Sequence, residues 1–280
     1  MNRRNFITQT LTAAGLLSQS ELLYALSETQ KLRDFGFITG IIGKELKQDW
    51  KTALKQAAAY GFTEIETGRF LGESAESFLT YCRDIGIKPT VGGISISVKE
   101  ADIQKNLDAL QQLDIKTAVV YWPWLGGGPF KLEDCKRSAE ILNTLGAACQ
   151  KRGMTFCWHN HDREFVPMEE GLPFDYLMNN TEKALVKCEM DVFWVAKGGA
   201  DPLAYLKKYT GRYPVLHLKD MTNDDQKTFE CVGKGSIDFK GILKEAQKQG
   251  IKHYFVEFDK VVDGMACLQT SGEYLKNLTF

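Results

Sequence analysis

The chain has 280 residues, 44% hydrophobic and 25% charged, with a formal net charge of −1, enough to bury one large core or two small ones. Balanced charge without a basic stripe argues against a nucleic-acid partner, and no apolar run approaches the roughly 20 residues of a membrane span. The seven cysteines (Cys82, Cys135, Cys149, Cys157, Cys188, Cys231 and Cys267) are odd in number and lack Cys-x-x-Cys spacing. They read as small core residues rather than a disulfide framework or zinc ribbon.

Asn2-Arg3-Arg4-Asn5-Phe6-Ile7-Thr8 resembles a twin-arginine export signal, with Leu11 to Leu17 as a modest apolar region and Ala25-Leu26-Ser27 as a candidate cleavage site. The alternative is a short basic amphipathic helix that stays on the protein. Residues 1–33 are read as signal segment and linker, and 34–280 as one domain. The expected location is the periplasm, with the cytoplasm as the alternative.

From Asp34 onward short apolar runs alternate with amphipathic helical patterns. Phe35–Gly43 reads as a first strand, followed by a helix capped by Asp49 and closed by Gly61. Strands are then expected over Thr63–Thr67, Lys88–Ser95, Lys116–Trp122, a fifth beginning at Thr155, Val186–Val192, Pro214–Asp220 and Lys252–Asp259. Helices are expected over Ser74–Ile85, 100–113, Glu133–Arg152, 173–180, Pro202–Tyr209, Phe239–Gln249 and 265–276. A phrase recurs at Gly61-Phe62, Gly86-Ile87, Gly153-Met154 and Gly250-Ile251: a glycine that ends a helix left-handed, then an apolar residue entering a strand. Eight strands each followed by a helix predict an α/β fold, the (β/α)8 TIM barrel. A doubly wound open sheet would want a Gly-x-Gly-x-x-Gly turn after the first strand, and Thr39-Gly40-Ile41-Ile42-Gly43 does not supply it.

In such a barrel the C-terminal strand ends meet at one mouth. His159 and His161 close strand five, and residues two apart share a face. Strand two ends at Glu66, strand six at Asp191, strand seven at His217-Leu218-Lys219, strand eight at Glu257. His159, Asp191, His217 and Glu257 give one imidazole or carboxylate from each of four consecutive strands. That donor set suits manganese, zinc, cobalt or iron(II) better than calcium. His253 begins strand eight, at the opposite barrel end, where a structural role is expected. Trp122 and Trp124 follow strand four and Trp194 follows strand six, offering flat faces to a sugar ring. Gly233-Lys234-Gly235 before Asp238 reads as a turn into an Asp-capped helix in preference to a phosphate cradle.

The stretches Trp158 to Phe165, Met190 to Trp194 with Gly199-Ala200-Asp201-Pro202, Leu216 to Asp220, Val232 to Phe239 and Val256 to Asp259 resemble the xylose isomerase-like barrel superfamily. The branch is the sugar phosphate isomerases/epimerases (AP endonuclease family 2 domain). The resemblance covers essentially everything after residue 34, and its motifs specify the branch but no substrate. It implies a divalent metal held from strands five to eight, with Asp191, His217 and Glu257 as ligands. The ketose epimerases usually have a glutamate at the strand-five position, where this chain has His159. Their paired strand-five and strand-eight glutamates exchange a proton on opposite faces of one carbon, so this departure puts simple epimerisation in doubt. His161 and Glu164 are the alternatives for the strand-five ligand, and Glu164 is also a candidate substrate contact.

The expected enzyme is metal-dependent and acts on an unphosphorylated keto-sugar or cyclic polyol through an enolate. Glu257 or His161 is the candidate base, Lys219 the oxyanion partner and Glu66 an acid or hydroxyl contact. A hydro-lyase or hydratase, for example on 3-keto-glucoside compounds, is preferred over an isomerase or epimerase. A repair endonuclease would want more histidines and a basic DNA-facing surface. A non-catalytic sugar-binding barrel is the third reading and predicts binding without turnover.

Overall fold

The computed structural model describes residues 31–126 and 131–280. The twin-arginine segment and the Gly127-Gly128-Pro129 part of the strand-four loop lie outside them. Eight parallel strands close into a barrel: β1 (Gly36–Ile38), β2 (Glu64–Glu66), β3 (Lys88–Gly93), β4 (Thr117–Val120), β5 (Thr155–His159), β6 (Val186–Asp191), β7 (Val215–Leu218) and β8 (His253–Val256). Each pairs with its chain neighbour, and β1 closes on β8 through Gly36 opposite Phe255. Around the barrel run α1 (Gly43–Ala59), α2 (Ala75–Asp84), α3 (Glu100–Gln112), α4 (Leu132–Lys151), α5 (Pro173–Asn180), α6 (Val192–Lys197), α7 (Pro202–Lys208), α8 (Phe239–Lys248) and α9 (Gly264–Asn277). The glycines of the recurring phrase do reverse the chain left-handed, with φ of 105° at Gly61, 77° at Gly86, 67° at Gly153 and 77° at Gly250.

Several boundaries differ from the periodic reading. β1 stops at Ile38, and Thr39–Ile42 forms a 3-10 turn that runs straight into α1. Asp49 still acts as a cap: its backbone is non-helical, and its carboxylate accepts the Thr52 N–H at 3.1 Å, so α1 is two helices joined at a kink. The strand pattern from Val186 ends at Asp191, whose Oδ1 accepts the Trp194 N–H at 3.1 Å and starts α6.

Most of the core lies between strands and helices. Inside the barrel Val91, Val119, Cys157, Val215 and Phe255 form a separate apolar layer, with Tyr121 packed against it. Gly36 makes room for it, since a Cβ there would lie 2.5 Å from the Phe255 ring. Below the layer His253 pairs with Glu64 at 3.0 Å, the structural role expected of it. Above it, two residues further along β5, β7 and β8, come His159, His217 and Glu257.

The cysteine expectation needs correction. Cys231 and Cys267 form a disulfide with Cα atoms 5.4 Å apart, while Cys82, Cys135, Cys149, Cys157 and Cys188 are the buried small residues anticipated. Counting cysteines does not expose a pair brought together by a loop and the last helix. The bond ties α9 to the segment after a short hairpin that pairs Asp220–Met221 with Phe229–Glu230. It closes a loop of 36 residues, which corresponds to roughly 3–4 kcal/mol of chain entropy. Reduction is therefore expected to lower the melting temperature by several degrees, and Cys231→Ser to lower it as much without reductant. Identical melting curves with and without reductant would show that the bond adds no stability.

Candidate active site

The register of three neighbouring strands assembles the site. Asp191 on β6 stands opposite His217 on β7, and His159 on β5 stands opposite Glu189 on β6. Glu257 follows the last residue of β8. One ligand atom each from His159, Asp191, His217 and Glu257 lies within 4.8 Å of the others, so the four expected side chains do converge. Glu66, Glu189 and His217 form a second group within the same limit, immediately deeper.

Both imidazoles have a carboxylate on one nitrogen. His159 Nδ1 is 3.0 Å from Glu189 Oε2, and His217 Nε2 is 2.8 Å from Glu66 Oε2. The other nitrogens face the upper group: His217 Nδ1 is 2.9 Å from Glu257 Oε2, and His159 Nε2 is 3.8 Å from Asp191 Oδ2. Lys219 faces the mouth as its parity with His217 requires. Its ammonium lies 3.0 Å from Asp191, 2.9 Å from Glu257 and 2.6 Å from Asp259. The Trp194 ring sits 4.8 Å beneath the same ammonium.

Electrostatics follow from burial. Burial pushes Glu189 up to about 8, reinforced by Glu66, and Asp191 up to about 7 despite Lys219. Burial would raise Glu257 too, but Lys219 and His217 prevail and hold it well below the usual carboxylate range. Burial drives the His159 imidazole down, and also His161, to about 4, with Lys219 adding to it. For His217 burial acts downward as well, yet Glu189, Glu66 and Glu257 outweigh it and hold the ring well above its ordinary value.

The donor set fits a divalent cation. Asp191, one of the four converging residues, has a buried Oδ2 that meets Lys219 without a well-aligned hydrogen bond. Buried carboxylate oxygens short of partners are costly, and a cation among two imidazoles and two carboxylates would relieve that cost.

Other expected residues have different roles in the structure. Glu66, expected as an acid or hydroxyl contact, is fully buried, and its second oxygen accepts the Tyr121 hydroxyl at 2.5 Å. Its first contact, through Oε2, is with His217 Nε2. Glu164 and Trp124, expected as substrate contacts, bind each other instead: Trp124 Nε1 donates to Glu164 Oε1 at 2.6 Å, and the other oxygen accepts the His161 N–H at 2.6 Å. Glu164 is fully buried, and both of its oxygens are engaged by these two bonds. Trp122 and Trp194 do flank the mouth, with ring centroids 5.3 and 5.4 Å from His161. Gly233 and Gly235 donate their N–H groups to Asp220, each at 2.9 Å, so a side-chain carboxylate fills the place a phosphate would take. Glu189 is the residue that reading strand ends passed over. It shares parity with Asp191 on the same strand, which was the available signal.

The chain belongs to the xylose isomerase-like TIM barrel family, whose model matches residues 54–260. Among characterised proteins it is similar to inosose dehydratases. That of Clostridium perfringens is 31% identical over 140 residues, 44% of this chain and 46% of the relative. That of Bacillus thuringiensis is 26% identical over 220 residues, 77% of this chain and 66% of the relative. The chain spans about half the length of the first of these relatives. A solved sugar phosphate isomerase/epimerase from Parabacteroides distasonis has a TM-score of 0.74 at 23% identity, covering 88% of this chain and 94% of that one. The IOLI protein with a bound zinc atom has a TM-score of 0.67 at 16% identity, covering 86% and 95%. These structural likenesses define the fold.

The Glu164 latch makes a pH prediction. Burial pushes its carboxyl up to about 7, from an ordinary value of 4.5, although the Trp124 indole and His161 amide favour ionisation. Between those values the folded protein keeps a proton that the unfolded chain releases. The contribution to stability is complete below the unfolded value and is lost as pH rises through the folded one. From about pH 4 to about pH 8, wild type should lose on the order of 3 kcal/mol more than Glu164→Gln, read from urea midpoints. Parallel profiles for the two proteins would exclude a raised carboxyl at this position.

Proposed function

We propose that the protein is a divalent-metal-dependent hydro-lyase that removes water from a cyclic polyhydroxy ketone of the inosose type. The observation that carries this reading is the buried group of His159, Asp191, His217 and Glu257 with Lys219 at its edge. The similarity to inosose dehydratases supports the reaction class. A cation held by those four residues would supply Lewis acidity toward the ketone and its neighbouring hydroxyl. Zinc, manganese, cobalt and iron(II) all suit two imidazoles and two carboxylates.

The chain's own groups do the rest. The ring of the substrate stacks against Trp122 and Trp194, with its C–H face toward His161. His161, neutral at rest, takes the proton from the carbon next to the ketone. Charge that develops on the carbonyl oxygen is stabilised by the Lys219 ammonium. The C–O bond one carbon further breaks, and the departing hydroxyl takes the proton from His161. An imidazolium of such low pKa gives up its proton readily. One water leaves, an unsaturated ketone forms, and His161 returns to its starting state. Strand five supplies no carboxylate to pair with Glu257 across a single carbon, which favours elimination over epimerisation.

We also infer that the protein is exported and works on small carbohydrates rather than nucleic acid. The Cys231–Cys267 disulfide favours an oxidising compartment, in keeping with the twin-arginine-like sequence. No helix among the described residues is long and apolar enough to cross a membrane.

The test is incubation of metal-loaded protein in D2O with inosose and, separately, with a 3-keto-glucoside. Conversion to an unsaturated ketone is expected, with His161→Gln lowering kcat/KM by about 10²–10⁴-fold and Lys219→Met by about 10²–10³-fold. Deuterium incorporation without loss of water would assign an isomerase instead. Tight binding without exchange or product would leave a sugar-binding barrel.

A further inference from the structure

We propose that Glu189 is a positioning residue: by accepting from His159 Nδ1 it fixes that ring and turns Nε2 toward the cation. The inference rests on reading the mouth as a divalent cation site.

Three observations support it. First, the pair is built into the sheet. His159 and Glu189 are opposite one another in the β5–β6 ladder, so backbone register rather than a mobile loop brings Oε2 to 3.0 Å from Nδ1. Second, Glu189 makes its ion pairs, among the described residues, with the two imidazoles alone. It is fully buried, lies behind the two imidazoles and has its remaining oxygen 3.3 Å from His217 Nε2. No substrate entering at the mouth can touch it without displacing His159, itself only 2% exposed. Third, the arrangement occurs twice. His217 has Glu66 on Nε2 and presents Nδ1 to Glu257, just as His159 has Glu189 on Nδ1 and presents Nε2 to Asp191.

The chemistry explains the repetition. An imidazole ligates through an unprotonated nitrogen, so its proton must sit on the other one. A carboxylate acceptor there selects the tautomer, fixes the plane of the ring and increases the donor strength of the ligating nitrogen. His159 is packed between the His161 ring, edge to face, and the tilted His217 ring, with centroids 5.0 and 4.7 Å away. That packing restricts the ring but does not choose which nitrogen faces the cluster. Glu189 makes that choice.

A double-mutant cycle read by metal affinity tests this without reference to turnover. Zinc and manganese are titrated calorimetrically into metal-stripped wild type, Glu189→Gln, His159→Ala and the double variant, with melting curves of each metal-free protein as a folding control. Glu189→Gln is expected to weaken binding about 10–100-fold in the wild-type background. On top of His159→Ala it should change the affinity by less than about threefold, because the ring it positions is gone. If His159→Ala does not fold, His159→Gln closes the same cycle. An equal loss in both backgrounds would mean that Glu189 acts through its charge alone, and no loss in wild type would remove it from the site; either result overturns the proposal. Nitrogen-15 spectra of the zinc-loaded protein should place the His159 proton on Nδ1, and a proton on Nε2 would refute the assignment directly. If wild type binds neither ion, the cation reading itself fails and takes this inference with it. If wild type binds but the cycle shows no coupling, only the inference falls.

Discussion

Removing carboxylates from water is the constraint on which this barrel mouth is built. Glu66, Glu189 and Asp191 are fully buried, the first two within reach of each other, and Lys219 is a positive charge held against Asp191 and Glu257. Such a group is unfavourable unless protons, cations or aligned donors balance it. The protein balances it unevenly. Glu257 takes the direct contacts of Lys219 and His217 and stays ionised, whereas Glu189 and Asp191 are left with an oxygen that accepts no hydrogen bond. An arrangement of this kind costs stability, and it is retained where function requires it. The apolar layer of Val91, Val119, Cys157, Val215 and Phe255 below supplies the low-dielectric floor that makes the imbalance strong.

Much of this was legible in the sequence because strands obey a period of two. Once eight strands are recognised, parity alone places His159, Asp191, His217, Lys219 and Glu257 on inward faces near the C-terminal strand ends. Glu189 obeyed the same rule one step deeper and could have been read the same way. What parity cannot give is a partner. Whether Glu66 faces a substrate or backs a histidine depends on Tyr121, 55 residues later, and His217, 151 residues later. Loops carry no period at all. Glu164 and Trp124 looked like mouth residues from their positions after strands, yet the β5 3-10 turn folds Glu164 inward under the His161 amide, and the indole follows it.

The segment between β7 and α8 was the least readable part. Asp220 organises it by accepting from Met221, Gly233, Gly235 and Ile237 through its two oxygens. A Cβ at Gly235 would collide with the Met221 carbonyl and the Asp220 carboxylate, so close backbone approach rather than phosphate binding explains that glycine. The hairpin projecting from the same segment brings Phe229 against Phe193, Trp194 and Phe258. The disulfide at Cys231 anchors the stem of that hairpin to α9. A wall of the mouth is thus held by three long-range devices, none with a spacing that marks it in the chain.

The aromatic wall and the acid group share Lys219, and this bears on which reaction the mouth can support. The ammonium lies over the Trp194 and Phe229 faces, at 4.8 and 5.3 Å, while contacting Asp191, Glu257 and Asp259. It is held from both sides, which keeps it charged and limits its reorientation when a ligand's charge changes. A preorganised cation of that sort lowers the energy of an oxyanion without having to move. Epimerisation at one carbon needs proton carriers on both faces of it, whereas elimination on one face needs a single carrier that alternates between accepting and donating. In the proposed elimination that single carrier would be His161, set between two indoles, while Glu257 is engaged by Lys219 and His217.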